Sequence, residues 1–340
     1  MLGVLRKLHA WTGLALCLLL IPLALSGASL VFKPQWLRAT VPHAGEATHV
    51  TPAEAALTMA AAQAAFPDMT SVIFAGPAIG VHEVLRKDGG GYLAAGSGDV
   101  VQRWTKNGRV VDWLFDLHHH LLSGETGTKV GGAVGLLTAA MILTGLAVWV
   151  PAWRSFAWRV KPGKKGRAGW LAAHRDLGLI SAPVALVIVI TGSAVALDDV
   201  AAAVMGFERA KPPATAGVGE VDWLRAFAAA QARFPGSEIR IAALPRRGKP
   251  AVIRVRQPDE WHANGRTTLW VDPATSQIMA VDDALAQAPA AQFYNAFWPV
   301  HASKVGGLAW KVVTLFAGLA LAALSLYGAE SYRRKLFPGR

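Results

Sequence analysis

The chain has 340 residues, of which 53% are hydrophobic and 16% are charged, and its formal net charge is +12. So apolar a composition excludes an ordinary soluble domain, whereas the charged segments between the hydrophobic runs exclude a pure membrane bundle. The single cysteine, Cys17, lies in the first hydrophobic run, which excludes a disulfide framework and a cysteine-rich metal site. The basic residues cluster beside hydrophobic runs, which is typical of membrane topology and not of a nucleic-acid-binding surface.

The first hydrophobic run covers residues 11–32 and follows His9. Its length of about 20 residues is enough to cross ~30 Å of hydrocarbon. The run is long for a signal peptide and no convincing small-residue cleavage site follows it, so we interpret it as a retained transmembrane helix. Arg6 and Lys7 place the end that carries His9 in the cytoplasm.

The next segment, up to residue 117, is predicted to be a small external lobe. An amphipathic helix pattern over residues 52–66 precedes four stretches typical of β-strands, which glycine and Asp-Gly turns separate. The four stretches are 71–74, 81–86, 92–95 and 100–104. Three consecutive histidines follow, at 118–120, and the sequence SGETG at 123–127 is expected to break the helix between them and the second span.

Three further hydrophobic runs complete the predicted set of four spans. They cover residues 130–150, 177–197 and 305–328. His174 precedes the third run at its cytoplasmic end, and His301 precedes the fourth run at its outer end. The loop before the third span and the C-terminal tail are basic, which places both in the cytoplasm. Their basic residues include Arg154, Arg159, Lys161, Lys164, Lys165, Arg167, Arg333, Arg334, Lys335 and Arg340.

A second external segment repeats the predicted order of elements in the first. A helix is predicted over 221–234, and strands are predicted near 238–243, 251–256, 267–271 and 278–281. The string AAQAAFP recurs as AAQARFP, HAWTGL resembles HRDLGL, and KVGG occurs twice. We therefore predict an α+β membrane protein: a four-transmembrane-helix bundle with two external α/β lobes and an internal parallel two-fold repeat.

This organisation divides the chain into seven predicted parts. They are transmembrane helix 1 at 1–33, external lobe 1 at 34–117, an interfacial segment with transmembrane helix 2 at 118–151, a basic cytoplasmic loop at 152–173, transmembrane helix 3 at 174–197, external lobe 2 at 198–300, and transmembrane helix 4 with a basic cytoplasmic tail at 301–340. Each half thus begins in the cytoplasm and contains a span, a lobe and a second span.

Histidines at the ends of the four spans form two predicted pairs on opposite sides of the membrane. His9 and His174 occupy equivalent cytoplasmic positions, and His301 lies on the outer side together with the trio that begins at His118. A helix of about 20 residues is about 30 Å long, so the two pairs cannot share one ligand. Each pair could hold a low-spin haem by two axial imidazoles. We choose His118 from the trio and keep His119 and His120 in reserve, because adjacent helical residues point in different directions.

Other interpretations of these histidines remain open. A single histidine at a helix end is commonly an interfacial or capping residue. Catalytic zinc usually takes three protein ligands, and neither pair has an obvious third one. A proton relay would use acids inside the membrane, and Asp176 is the only nearby candidate.

Further predictions concern four glycines of the spans and four histidines of the lobes. Four glycines could let a flat ring approach the backbone, or could serve close helix packing. They are Gly13, Gly27, Gly145 and Gly192. Four histidines of the lobes are predicted to lie at the surface. They are His43, His49, His82 and His262.

Several motifs carry a resemblance to a known family. They are LHAWTGL, LHHHLLSGETG, LTGLAVWVP, HRDLGLISAP, ITGSAV and VHASKVGG, followed by a basic tail. Over residues 1–335 the chain resembles the PepSY-associated transmembrane family, which includes iron-uptake membrane proteins and inner-membrane ferric-siderophore reductases. The external lobes resemble PepSY modules in their pattern of elements.

The resemblance implies a four-span protein that binds two b-type haems and passes electrons outward to reduce ferric iron in siderophores. The family's histidines correspond to His9, His118, His174 and His301, and two more, His119 and His120, are additional here. We therefore expect a bacterial inner-membrane oxidoreductase of iron uptake, with haem b as cofactor and periplasmic lobes. A cytoplasmic reductase or quinol would supply the electrons, because the chain has no nucleotide-binding motif. Membrane lipid is an expected partner, and nucleic acid is not.

Alternatives from other functional classes stay open. A non-redox PepSY-type protein would bind peptides or regulate a protease, and would be colourless when purified. A metal or siderophore transporter would bind metal without porphyrin, and would move its cargo without a reductant. A quinol-linked cytochrome with another acceptor, such as Cu(II), would differ only in which acceptor it reduces.

Overall fold

The computed structural model describes residues 2–46, 49–163, 166–215 and 219–337. The chain divides into two compact units. The first comprises Met1–Val31, Trp113–Ala201 and Val300–Arg340, and the second comprises Phe32–Asp112 and Ala202–Pro299. Of the basic residues predicted to be cytoplasmic, Lys164, Lys165 and Arg340 lie outside the described residues.

Helices and strands are numbered here in chain order over the described ranges. The helices are α1 (Leu2–Leu30), α2 (Lys33–Thr40), α3 (Pro52–Ala65), α4 (Val110–His120), α5 (Gly124–Trp149), α6 (Arg167–Ala196), α7 (Asp198–Met205), α8 (Trp223–Arg233), α9 (Pro289–Asn295), α10 (Phe297–His301) and α11 (Gly307–Leu336). The strands are β1 (Met69–Ile73), β2 (Val81–Arg86), β3 (Gly89–Ala94), β4 (Val100–Thr105), β5 (Glu238–Ala243), β6 (Ala251–Arg256), β7 (Thr267–Val271) and β8 (Ile278–Asp282). A short 3₁₀ helix, Val150–Ser155, continues α5.

Within the described part of the chain, α1, α5, α6 and α11 are the helices long and apolar enough to cross a membrane. Each predicted hydrophobic run coincides with one of them. Helices α1 and α6 begin several residues before their runs, so His9 and His174 lie within the helices and not before them. Helices α1 and α6 each pack against both α5 and α11. Buried alanines such as Ala24 and Ala185 line these contacts, because small side chains let membrane helices approach closely.

Two short helices each end at a histidine of the first unit. Helix α4 ends at His120, and the predicted break before the second span is present at residues 121–123, where Leu121 and Leu122 adopt φ values of 46° and 58°. The sequence GETG, which was expected to break the helix, instead forms the first turn of α5. Helix α10 ends at His301, and Ser303 and Gly306 then have φ values of 53° and 69°. Left-handed residues end a right-handed helix, so both breaks are local in origin.

The described residues of the second unit form one eight-stranded antiparallel sheet, in the order β4-β3-β2-β1-β5-β6-β7-β8. The predicted order of a helix followed by four strands is present in both halves. The two predicted lobes nevertheless share this one sheet, because β1 pairs with β5 and Val72 lies opposite Ala242. The pairing is physically favourable, since a separate lobe would leave each of these strands as an exposed edge with unpaired amide and carbonyl groups.

The hydrophobic core of the second unit lies between this sheet and helices α3 and α8. Val72, Ile253 and Leu269 point into it from the strands, and Phe227 enters it from α8. Residues alternate between the two faces of a strand, so the neighbours of these core residues lie on the opposite face.

Two of the four lobe histidines that were predicted to lie at the surface are buried. His82 is 1% exposed and its Nδ1 accepts a hydrogen bond of 3.1 Å from the amide of Ala75. His262 is 7% exposed and stacks on Trp298. The prediction was wrong because histidine was treated as polar, whereas a neutral imidazole with a hydrogen-bond partner can be buried at little cost. His43 and His49 are exposed, as predicted.

Candidate functional site

His9 of α1 and His174 of α6 face each other within the first unit. Their ring centroids are 6.2 Å apart and their planes are nearly perpendicular, at 82°. Both side chains are half-buried. We call these two residues the first histidine pair.

His118 of α4 and His301 of α10 face each other in the same unit. Their ring centroids are 5.9 Å apart and their planes are nearly parallel, at 16°. Both side chains are again half-buried. We call these two residues the second histidine pair.

The two pairs lie far apart along the bundle. His9 belongs to the first pair, and Gly27, which lies 18 positions further along α1, contacts His118 of the second pair. At 1.5 Å per residue this interval corresponds to about 27 Å. Helix α6 shows the same interval, between His174 and Gly192, which contacts His301. The two pairs are therefore separate sites on opposite ends of the same helices.

Three of the four imidazoles are fixed by a backbone carbonyl on a neighbouring helix. The Nδ1 atoms of His118, His174 and His301 each lie 2.9 Å from a carbonyl oxygen. The acceptors are the carbonyls of Leu23, Leu324 and Ile188, respectively. A carbonyl oxygen can only accept, so Nδ1 carries the proton and Nε2 keeps its lone pair for a metal.

His9 is fixed in the same way through one intervening hydroxyl. Its Nδ1 lies 3.1 Å from Oγ1 of Thr144, and that hydroxyl donates to the carbonyl of Met141 at 3.1 Å. Because the hydroxyl proton is used in this second bond, the oxygen accepts from Nδ1–H. All four imidazoles therefore present Nε2 as the unprotonated nitrogen.

Each of these rings also lies against a glycine four residues after the carbonyl that fixes it. Gly27 follows Leu23 in this way, Gly192 follows Ile188, and Gly328 follows Leu324. Gly145 has the same relation to Met141. A Cβ atom added at Gly27 would lie 2.5 Å from Cε1 of His118, and one at Gly192 would overlap the ring of His301. The corresponding distances are 3.1 Å for Gly145 and His9, and 3.5 Å for Gly328 and His174. The glycines thus open the helix surface to the imidazoles.

Three of the four glycines expected to admit a flat ring do so, and the ring they admit is an imidazole. Gly13 instead faces the side chain of Met141. Gly328, which lies at the very end of the predicted fourth span, was not predicted to contact a ring. A signal was present, because Gly328 follows Gly145 by 183 residues and His301 follows His118 by the same interval.

His119 and His120 do not join the second pair. The ring of His119 stacks on Phe115 with a centroid distance of 3.9 Å. His120 Nδ1 lies 2.8 Å from a carboxylate oxygen of Asp116. The structure therefore brings His118, and neither reserve, to His301.

The donor set of each pair fits a haem better than zinc. Two imidazole nitrogens that each bind one metal ion at about 2 Å place their ring centres about 6 Å apart, which both pairs match. In the part of the chain that the structure describes, no group of three or more His, Cys, Asp or Glu residues could hold a metal. Haem iron needs only two axial ligands from the protein, because the macrocycle supplies the others.

Buried polar atoms beside both pairs support the same fit. Trp149 Nε1 lies one helical turn beyond Gly145, Ser193 Oγ is next to Gly192, and Ser303 Oγ is two residues beyond His301. None of the three has a hydrogen-bond partner among the described residues. Buried polar groups are rarely left unpaired, so these atoms suit a ligand with polar edges.

Asp176, the candidate for a proton relay, anchors a loop instead. Its carboxylate is fully buried and accepts hydrogen bonds from the amides of Ala157 and Arg159 and from the Arg159 guanidinium, the last at 2.9 Å. Arg175 lies 3.3 Å from its other oxygen. The residue therefore fastens the segment after the second span to α6.

Comparison with known proteins assigns the chain to one family. No curated protein matches it. The family model described as the PepSY-associated TM region matches residues 6–335. This range contains both histidine pairs, all four long helices except their outermost residues, and the whole eight-stranded sheet. The chain therefore belongs to the PepSY-associated transmembrane family and is a multi-pass membrane protein.

Proposed function

We propose that the protein is a dihaem b-type electron-transfer protein of the bacterial inner membrane, which reduces an external ferric siderophore with electrons from the cytoplasmic side. The observation that carries the proposal is the presence of two histidine pairs at separate levels of one bundle. In each pair, Nδ1 is held by the protein and Nε2 is left to bind iron.

His9 and His174 would hold one haem, and His118 and His301 would hold the other. Bound haem supplies iron that changes between the ferric and ferrous states and so carries one electron. The protein chain holds each haem in position and determines the polarity of its surroundings. The carbonyls of Leu23, Ile188 and Leu324 set the tautomer and orientation of three ligands, which stiffens each site against changes on oxidation.

The charge of the loops supports the orientation that this function requires. The segment after α5 and the end of α11 are rich in arginine, and the positive-inside rule places both in the cytoplasm. His9 and His174 would then lie towards the cytoplasm and would hold the group that takes up electrons from a reductase or from quinol. His118 and His301 would lie towards the outside and would hold the group that donates them to the acceptor.

Reduction is an effective way to release iron from a siderophore. Siderophores bind ferric iron through hard oxygen ligands, and the larger, less charged ferrous ion is held more weakly by them. One electron reduces one ferric ion to the ferrous state. The single electron that one haem carries is therefore enough to reduce one ferric siderophore. The released ferrous ion then leaves the chelator.

Anaerobic turnover of the purified protein tests the proposal. The protein is reduced chemically in detergent, freed from excess reductant and mixed with a ferric siderophore in the presence of a ferrous-iron indicator. We expect the haem bands to reoxidise while ferrous iron appears in an equal amount. A His301→Ala variant should react much more slowly, because it lacks one outer ligand. Bands that stay reduced with ferric siderophores but reoxidise with Cu(II) would contradict the proposed acceptor, and a colourless protein would contradict the redox function.

A further inference from the structure

Three arginines of the second unit form a cluster: Arg254, Arg266 and Arg209. Its first member lies on the face of the sheet that is turned away from α3 and α8. Arg254 of β6 stands between the core residues Ile253 and Val255, so its side chain projects to this second face. Thr268 of β7 and Asp282 of β8 lie on the same face as Arg254, because Arg254 pairs with Thr268 and Thr268 pairs with Asp282.

Arg254 has a buried nitrogen without a partner. Its Nε is inaccessible and makes no hydrogen bond to any residue that the structure describes, while the side chain as a whole stays partly exposed. A buried guanidinium nitrogen is costly when unpaired, since the charge loses water and gains no acceptor in return. The terminal guanidinium nitrogens also make no hydrogen bond to the described residues, so an acceptor that approaches from the exposed side of Arg254 can bind them and offset this cost.

The carboxylates near Arg254 serve other donors. Glu260 accepts a hydrogen bond of 2.7 Å from the hydroxyl of Thr267 and further ones from the amides of Gln257 and Arg266. Asp282 accepts a hydrogen bond of 2.8 Å from the side-chain amide of Gln287. Both attract Arg254 through space, but neither completes its hydrogen bonds.

Further guanidinium groups lie close enough to oppose the charge on Arg254. The pKa of Arg254 is lowered to about 10, first by burial and then by the charge of Arg266, against the opposing attraction of Glu260 and Asp282. Burial likewise lowers the pKa of Arg266, and the charge of Arg209 contributes in the same direction. Like charges held together in a partly buried place are relieved when an anion binds between them.

Neighbouring side chains hold the rest of the cluster in place. Arg266 Nε donates to Asn295 of α9 at 3.1 Å, and Arg209 donates to the hydroxyl of Tyr294 at 3.0 Å. Two of the three arginines are thus positioned by α9, and Arg254 keeps its donors uncommitted. A site that is organised in advance loses little conformational entropy when its ligand binds.

We propose that Arg254, together with Arg266 and Arg209, binds the oxyanion group of a small molecule, a carboxylate or a phosphate. The planar guanidinium matches both groups, which it can bind through two parallel hydrogen bonds. The site is independent of the redox chemistry, and only its use in holding a carboxylate-bearing ferric complex rests on the proposed function.

Anion binding to the full-length protein in detergent tests this site. Citrate and inorganic phosphate are titrated separately, in a chloride buffer and without reductant, by isothermal calorimetry. We expect saturable binding that Arg254→Gln and Arg254→Leu each weaken at least about tenfold, which is the size expected for the loss of one charge-assisted contact. Arg247→Gln, which removes an exposed arginine from the turn between β5 and β6, should bind like the wild type. Binding of citrate alone would assign a carboxylate, and binding of phosphate alone would assign a phosphate.

A thermal measurement separates a binding role from a structural one. Without an anion, Arg254→Leu should unfold at or above the wild-type temperature, because it removes an unpaired buried charge. The wild type should gain stability when the anion is added, and the variant should not. Absence of binding in the wild type, equal binding by the variants, or a lower anion-free midpoint with unchanged binding would each overturn the proposal. Haem content is measured on the same samples, so a failure of the redox function is seen separately.

Discussion

At the scale of single residues, the two sites use one recurring arrangement. An imidazole from one helix donates to a carbonyl of a second helix, and its ring lies against a glycine four residues further on. A helical carbonyl has a second lone pair, so it can accept this bond without losing its own helical bond. The arrangement fixes the tautomer that leaves Nε2 available, which is what an axial ligand requires.

Gly192→Ala tests the glycine of the second pair. The added methyl group would overlap the ring of His301, so the imidazole has to leave its place against α6. We expect the purified variant to keep about one of its two haems, measured by pyridine haemochrome, because each pair binds independently. Gly131→Ala is the matched control: Gly131 lies in a transmembrane helix with nothing within 4 Å of the new atom. Equal haem content in Gly192→Ala and the wild type would contradict this role.

Thr144→Val tests the hydroxyl that relays the hydrogen bond of His9. Valine keeps the shape but leaves Nδ1 without its acceptor. Loss of such a supporting partner typically weakens metal-site affinity about 10- to 100-fold, so we expect faster transfer of one haem to apomyoglobin. Thr138→Val is the control, because the hydroxyl of Thr138 bonds to the carbonyl of Val134 in its own helix. Similar transfer rates in the two variants would show that Thr144 does not position His9.

Individual residues were predictable from the sequence where their chemistry is unusual for their surroundings. Histidines at the ends of apolar runs stand out, and this identified His9, His118, His174 and His301 as candidates. Their anchors could not be identified, because every residue has a carbonyl and only the fold selects which one meets an imidazole. The sequence could favour His118 within its trio, but only the packing of α4 shows His119 against Phe115 and His120 against Asp116.

At the scale of elements, the loop after the second span is held by one buried carboxylate. Asp176 receives hydrogen bonds from two backbone amides and the guanidinium of Arg159, so it fixes the path of the chain at residues 157–159. A carboxylate that is buried and paired with arginine stabilises a structure only while its partners remain.

Asp176→Asn should release this loop. The neutral side chain attracts Arg159 and Arg175 less, so the segment opens more often. We expect faster tryptic cleavage after Arg159, followed by mass spectrometry of the detergent-solubilised protein, because cleavage follows the population of the open form. The control variant Asp199→Asn, at an exposed position of α7, should be cleaved after Arg159 at the wild-type rate. An unchanged cleavage rate in Asp176→Asn would mean that the loop is held by other contacts.

The eight-stranded sheet should lose stability as the pH falls, and His82 gives a specific reason. Burial lowers the pKa of His82 to about 4, below the ordinary value of 6.5 that it regains on unfolding. The unfolded chain therefore binds more protons below about pH 6.5, and the stability present at neutral pH is lost as the pH falls towards 4. The effect is about 2 kcal/mol between pH 7 and pH 5. His262, whose burial lowers its pKa to about 3, acts in the same direction.

His82→Gln tests this contribution. Glutamine has no proton to gain, so the variant should show a clearly smaller fall of its unfolding midpoint between pH 7 and pH 5, followed by tryptophan fluorescence. His49→Gln, at an exposed position, should keep the wild-type dependence. An identical pH dependence in His82→Gln and the wild type would exclude His82 as a source of the acid sensitivity.

The elements themselves were largely predictable, whereas their association was not. Hydrophobic run length identified the four long helices, and glycine turns separated the strands in the right order. The pairing of β1 with β5 joins residues about 170 positions apart, and no local pattern specifies it. The internal repeat stays a prediction, although the spacing from His9 to Gly27 equals that from His174 to Gly192.

At the scale of the whole molecule, the central claim is that one membrane bundle holds two haems in series. The two pairs are about 27 Å apart along α1 by helical rise. That length is close to the thickness of the hydrocarbon layer, so two redox centres at these levels would carry an electron across it. The second unit is a folded domain built on a single sheet, with its own candidate anion site.

Haem stoichiometry of the purified full-length protein tests this claim most directly. Pyridine haemochrome quantification with a reduced-minus-oxidised spectrum should give about two b-type haems per chain. His9→Ala and His301→Ala should each keep about one, while His120→Ala keeps both, because His120 bonds to Asp116 and not to the second pair. A protein without a Soret band, or one whose haem content is unchanged in both His9→Ala and His301→Ala, would contradict the account.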